Sequence, residues 1–215
     1  MSDGIHPQRT PVLRLTRPAV VLIDAQPAFL DIMAGPRFPV VLRLEKLLLM
    51  AAHLELPTLA TFERPQQNGR LPDRCEAVWP AHGTRHEKHT YDCCGQQEIV
   101  AAVEALDRRQ LLVAGAETDV CVLQSVLSLL DRGHEVFLLE DCLFSSEPHV
   151  APALRRMYSS GAVPCTLKTA FYELMRSVRI VDDPTSGGPG WERLVPAFGE
   201  PELWPDWRPA SGADL

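Results

Sequence analysis

Several short runs in this chain are apolar at every position rather than at every second one. Ala19-Val20-Val21-Leu22-Ile23, Leu111-Leu112-Val113-Ala114-Gly115 and Val136-Phe137-Leu138-Leu139 read this way; Pro57–Phe62, which includes Thr58 and Thr61, is a further candidate strand, with a weaker run at Ala162–Leu167. A strand apolar on both faces needs cover on both faces, and that is the condition of a parallel sheet sandwiched between helices. The covering helices are legible between the runs. Leu44, Leu47, Leu48 and Ala51 recur at helical spacing, as do Ile99, Val103 and Leu106, and Leu123, Val126, Leu127 and Leu130. A shorter stripe, Leu154, Met157 and Tyr158, accepts Pro152 only if that proline sits in the first helical turn. Gly133 follows the third stripe and suits a left-handed helix end. The alternation predicts an α/β fold: a three-layer α/β/α sandwich around a mostly parallel, Rossmann-like sheet of roughly six strands, counting a poorly patterned sixth run at Thr84–Lys88.

One domain accounts for residues 1–181. Beyond it, residues 182–215 are rich in Pro, Gly and Asp yet carry Trp191, Trp204 and Trp207. A tail with three tryptophans is expected to pack on the domain or on a neighbouring subunit. A hydrophobic fraction of 46% supports a buried core. A net charge of −7 argues against nucleic acid or an acidic membrane face as partner. The start of the chain lacks the apolar core of a signal peptide, and the apolar stretch Val40–Leu54 is interrupted by Arg43, Glu45, Lys46 and His53. The expectation is a cytoplasmic protein whose six cysteines (75, 93, 94, 121, 142 and 165) are reduced. No CxxC pair is present, so a structural zinc site is not expected.

Ligands of an open parallel sheet bind beyond the carboxyl ends of its strands. Asp24 ends the first run, and the segment GAETDVC after Leu111–Ala114 sets Cys121 at the opening of a helix. Backbone N–H groups at a helix start favour anions, so this thiol is expected to have a lowered pKa. Taken singly, each residue also has a plain reading. A cysteine at such a turn is often a small packing residue, an aspartate after a strand is often an N-cap, and a lone lysine is usually solvated.

Taken together, VVLIDAQPAFLD, the lysine in RHEKHTYDCCG, and LLVAGAETDVCVLQSVLSLLDRGHEVFLLEDC resemble the isochorismatase-like cysteine hydrolases, a superfamily that includes nicotinamidases and N-carbamoylsarcosine amidohydrolases. The resemblance runs from about Arg17 to Val178 and is nearest the isochorismatase-domain proteins of animals and the metal-free amidohydrolases. It implies that Cys121 is the nucleophile, that Asp24 takes the thiol proton and later activates water, and that Lys88 favours their charged forms. It also implies a cis peptide at Ala116–Glu117, with the Glu117 and Cys121 N–H groups forming an oxyanion hole, and Phe29 lining the pocket.

Two departures narrow the chemistry that the resemblance implies. Metal-dependent nicotinamidases carry an Asp-x-His pair after the second strand, where this chain reads ATFERPQQNGRLP without histidine. His82, His86 and His89 come later and do not reproduce that spacing, so no metal or other cofactor is expected. True isochorismatases lack the nucleophilic cysteine, and keeping Cys121 favours cleavage of an amide-type C–N bond in a small-molecule carbonyl substrate. The resemblance further implies a homo-oligomer, a dimer or larger. Two other classes compete: a catalytically silent binding or scaffold protein on the same fold, and a thiol redox role for Cys93, Cys94 or Cys142.

Overall fold

The computed structural model describes residues 14–175 of the chain. The C-terminal extension expected over 182–215 lies outside the described residues. In chain order the elements are β1 (Ala19–Ile23), α1 (Pro27–Ile32), α2 (Arg37–His53), β2 (Thr58–Glu63), α3 (Pro65–Asn68), α4 (Asp73–Glu76), β3 (Thr84–Lys88), α5 (Gln97–Ala105), β4 (Gln110–Gly115), α6 (Leu123–Asp131), β5 (Glu135–Leu143), α7 (Ala151–Ser159), β6 (Val163–Cys165) and α8 (Leu167–Met175). All five strand pairings are parallel, in the order β3-β2-β1-β4-β5-β6.

The runs of consecutive apolar residues explain the layering. Along β1, Val20 and Leu22 face one core with α2 and α8, while Ala19, Val21 and Ile23 face another with α5, α6 and α7. Strand alternation sends neighbouring side chains to opposite faces, so a strand between two helical layers must be apolar throughout. Runs such as Leu111–Ala114 are readable for that reason, whereas β3 (TRHEK) is not: it is an edge strand, and only Lys88 of its five residues is buried. Pro152 lies in the first turn of α7, as the helix required.

The strand order places a switch point between β1 and β4, from which the chain winds outward in both directions. At that point the strands are pressed together. Ile23 pairs with Gly115, which has φ +116°, and a Cβ there would lie 1.8 Å from the Ile23 carbonyl oxygen. Only glycine fits. Among the described residues, no helix is long and apolar enough to cross a membrane.

Candidate active site

Four adjacent strands end at the same edge of the sheet, and each delivers one polar group. β1 is followed by Asp24, β2 ends at Glu63, β3 ends at Lys88, and β4 leads through Gly115 into the turn that carries Cys121. Glu63 and Lys88 are direct register partners. A single helical turn of the wide, π type spans Thr118–Val122 and runs into α6. It holds the Cys121 side chain over the ends of β1 and β3.

Asp24 and Lys88 are completely buried, and Cys121 is 3% exposed. Lys88 Nζ lies 2.8 Å from Asp24 Oδ2. Its hydrogen bonds go to Thr90 O (2.7 Å), Tyr91 O (3.2 Å) and Cys121 Sγ (3.6 Å). Asp24 adopts φ 43°, a left-handed conformation that aspartate tolerates better than most side chains. Its Oδ1 accepts from Thr61 Oγ1 at 2.8 Å. An ion pair this deep depends on both partners, because removing either leaves an unpaired charge out of water.

Burial sets the protonation of the group. Desolvation raises the Asp24 carboxyl above its ordinary value, although Lys88 and Thr61 pull it back. Burial also works against the Lys88 ammonium, but the neighbouring Asp24 carboxylate, with Cys121 and Glu63 behind it, outweighs that and holds the lysine above its ordinary value. Cys121 departs from the sequence expectation of an acidified thiol. Burial first, and then the negative charge of Asp24, push it up to about 12, against a partial offset from Lys88. The start of α6 does not compensate for two such contributions. Burial and the neighbouring charge thus favour a neutral Cys121 thiol beside the paired Asp24 and Lys88.

Glu63, Gln26 and Thr61 are not among the residues that the sequence singles out. Gln26 is buried and clamps the end of β2: its Oε1 accepts from the Glu63 N–H (2.7 Å), and its Nε2 donates to the carbonyls of Glu63 (3.0 Å) and Gly69 (2.5 Å). Glu63 Oε2 then lies 3.8 Å from Cys121 Sγ and 4.0 Å from Lys88 Nζ. The rule that strand ends carry function picks out Asp24 after β1 and Cys121 after β4, and applied to β2 it points to Glu63. The donor atoms of Asp24, Glu63 and Cys121 lie within 4.8 Å of one another, a spacing that suits a cation, and the Lys88 ammonium supplies positive charge among them.

The Ala116–Glu117 peptide is cis. Among the described residues the Glu117 N–H has no protein acceptor, while its side chain turns away to accept from the N–H (2.9 Å) and hydroxyl of Ser146. Phe29 is half-buried on α1, packed against the apolar layer shared by α2 and α8. A cavity of about 410 Å³ bounded by Met33, Val40, Arg43, Thr118 and Phe144 includes none of Asp24, Glu63, Lys88 and Cys121.

A family model for the isochorismatase domain matches residues 18–169. The chain belongs to the isochorismatase family. Isochorismatase family protein 1A of Dictyostelium discoideum is 38% identical over 95 residues, which is 43% of this chain and 46% of that protein. Isochorismatase domain-containing protein 2 of Bos taurus is 30% identical over 135 residues, covering 60% and 62%. The matched stretch thus spans about half the length of the Dictyostelium relative. Among solved structures, YcaC from Pseudomonas aeruginosa with hexane-2,5-diol and covalent acrylamide superposes with a TM-score of 0.76 at 26% identity, covering 89% of this chain and 100% of that one. Escherichia coli YcaC, described as an octameric hydrolase of unknown specificity, gives a TM-score of 0.75 at 26% identity, covering 88% and 98%. The all-parallel six-stranded sheet agrees with membership of the isochorismatase family.

Proposed function

We propose that this protein is a metal-independent cysteine hydrolase that cleaves an amide-type C–N bond in a small carbonyl compound. The observation that carries the reading is the convergence of Cys121, Asp24 and Lys88 at the carboxyl edge of the sheet, with Lys88 Nζ 2.8 Å from the carboxylate and 3.6 Å from the sulfur. Cys121 Sγ attacks the carbonyl carbon while its proton passes to Asp24. The proton then goes to the departing nitrogen, the C–N bond breaks, and a thioester remains on Cys121. Asp24 next takes a proton from water, which attacks the thioester and releases a carboxylic acid and the thiol.

The raised thiol pKa fits this order of events. A neutral thiol gives up its proton as the carbon–sulfur bond forms, and Asp24 accepts it because burial has already made that carboxylate more basic. Lys88 holds Asp24 in place and balances the charge that develops. The unbonded Glu117 N–H, with the Cys121 N–H, is the donor pair assigned to the oxyanion. Phe29 on the neighbouring helix is assigned to the pocket wall. The covalent acrylamide of the Pseudomonas YcaC structure is a small amide-bearing electrophile held by a similar fold, which supports access of such compounds.

The octameric state of Escherichia coli YcaC supports a homo-oligomer here as well. Analytical ultracentrifugation of the full chain is expected to give a dimer or larger, and a monomer at micromolar concentration contradicts it. The catalytic reading is tested by ammonia or amine release from a panel of small amides, with and without a chelator. Turnover that survives chelation and disappears in Cys121→Ala is expected. Turnover lost on chelation, or retained in Cys121→Ala, overturns the reading.

A further inference from the structure

Glu63 is the one member of the site that the triad chemistry leaves unused, and its surroundings are distinctive. Every strong contact of this residue is made by its backbone. Gln26 pairs with both its N–H and its carbonyl, and Asn68 Nδ2 adds a second hydrogen bond to that carbonyl at 2.9 Å. Among the described residues the side-chain carboxylate makes only two long contacts, 3.8 Å to Cys121 Sγ and 4.0 Å to Lys88 Nζ. An ionised carboxylate offers about four acceptor positions, and a partly desolvated one with none of them well filled is set up to take hydrogen bonds from a ligand.

Its place in the site gives it a direction. Asp24 and Lys88 are fully buried and paired with each other, so the ammonium's charge is already matched. The Glu63 side chain is 21% exposed and is the outermost of the four. A molecule approaching the sulfur meets this carboxylate first, with the Lys88 charge committed to Asp24 behind it. Arg64 and Arg70 are neighbours in sequence, but Arg70 stacks over Phe62 at 5.5 Å and Arg64 is exposed, and neither contacts the Glu63 carboxylate.

We infer that Glu63 is the specificity-determining residue of this site, selecting carbonyl compounds that carry a cationic nitrogen (an ammonium or guanidinium group) close to the reacting carbonyl and rejecting anionic ones. The inference rests on the proposal that Cys121 is the reacting group. In the bound complex the cationic N–H groups donate to Glu63 Oε1 and Oε2, and the carbonyl carbon comes to rest over Cys121 Sγ, which is 3.8 Å from that carboxylate. An anionic substituent at the same place meets an unmatched like charge in a partly desolvated mouth.

The test uses charge-matched thiol reagents, because they report the field at the sulfur whether or not a substrate has been found. The full chain is treated with trimethylammonioethyl methanethiosulfonate or sulfonatoethyl methanethiosulfonate, and modification of Cys121 is followed by peptide mass spectrometry, which separates it from the other five cysteines. Glu63 also helps hold the thiol pKa up, so its replacement speeds both reagents, and the ratio of the two rates removes that common effect. The wild type is expected to favour the cationic reagent at Cys121 by about tenfold or more. Glu63→Gln, which keeps the shape and the backbone contacts, is expected to bring the ratio close to one, and Glu63→Asp to retain most of the preference. A ratio near one in the wild type, or an unchanged ratio in Glu63→Gln, overturns the inference.

Matched cationic, neutral and anionic amides supply the second arm: Glu63→Gln is expected to raise KM about tenfold for the cationic amide alone. An equal effect on all three counts against selection. Failure of the hydrolase reading appears as absence of turnover with the reagent preference intact, and is thereby distinct from failure of this one.

Discussion

Replacing Lys88 by methionine removes the ammonium while keeping most of the stem, and leaves Asp24 as a buried carboxylate without its counter-charge. At 2.8 Å, and with an effective dielectric constant near 20, the pair's gross Coulomb attraction is about 6 kcal/mol. Much of that is offset by the desolvation of both ions, so the pair adds little beyond a neutral pair of the same shape. Breaking it on one side is another matter, and Lys88→Met is expected to lower unfolding stability by about 3–5 kcal/mol at neutral pH. The loss has a definite pH signature. Asp24 already sits above the ordinary carboxylate value, and without Lys88 it rises further. A raised folded-state pKa favours the folded state below the unfolded pKa of about 3.9 and loses that advantage as pH rises through the folded value. The deficit of Lys88→Met should thus be largest near neutrality and shrink as pH falls toward about 4. Urea unfolding of the wild type, Lys88→Met, Asp24→Asn and the double variant across that range gives both quantities. The double variant is expected to recover most of what Lys88→Met loses. Additive losses, or a deficit that does not depend on pH, refute the description of Asp24 and Lys88 as one buried charge pair.

Two other perturbations follow from the same geometry. The Cys121 thiol is raised to about 12 from an ordinary 9, so its contribution of about 4 kcal/mol is complete below about pH 9 and is lost as pH rises toward 12, alongside that of other buried thiols such as Cys75, and Cys121→Ala should show a shallower alkaline decline in urea midpoints than the wild type. Gly115→Ala puts a Cβ 1.8 Å from a backbone oxygen at φ +116° and is expected to cost about 3 kcal/mol or more in thermal or urea unfolding, whereas a melt within experimental error of the wild type contradicts the tight β1–β4 junction.

Much of the architecture is legible in the sequence because burial on both faces leaves a uniform signature. The first apolar run bounds β1 residue for residue, and β2, β4 and β5 lie within a few positions of theirs. The edges are harder. β3 is rich in charge because it pairs on one side only, and α1, α3 and α4 are too short for a helical period to show. Asp24, Lys88 and Cys121 come from distant stretches, and only their contexts matched together group them; the structure then brings all three within hydrogen-bonding or ion-pair distance. The acidity of the thiol is not legible, because a helix start is visible in sequence while the desolvation around Cys121 and the Asp24 charge beside it are set by the tertiary fold. Glu63 stands at a strand end, where the same rule that marks Asp24 could have found it, but its Gln26 clamp depends on β2 lying beside β1, and an ATFERP segment carries no sign of that neighbourhood.

If Cys121 is the nucleophile, it becomes covalently acylated during turnover. Acid quenching of the full chain in the steady state with a small amide that it hydrolyses, followed by peptide mass spectrometry, reads this directly. The expected result is an acyl increment on the peptide containing Cys121, removed by hydroxylamine and absent in Cys121→Ser. Turnover of that amide with no increment on Cys121, and with the rate preserved in Cys121→Ala, contradicts the account.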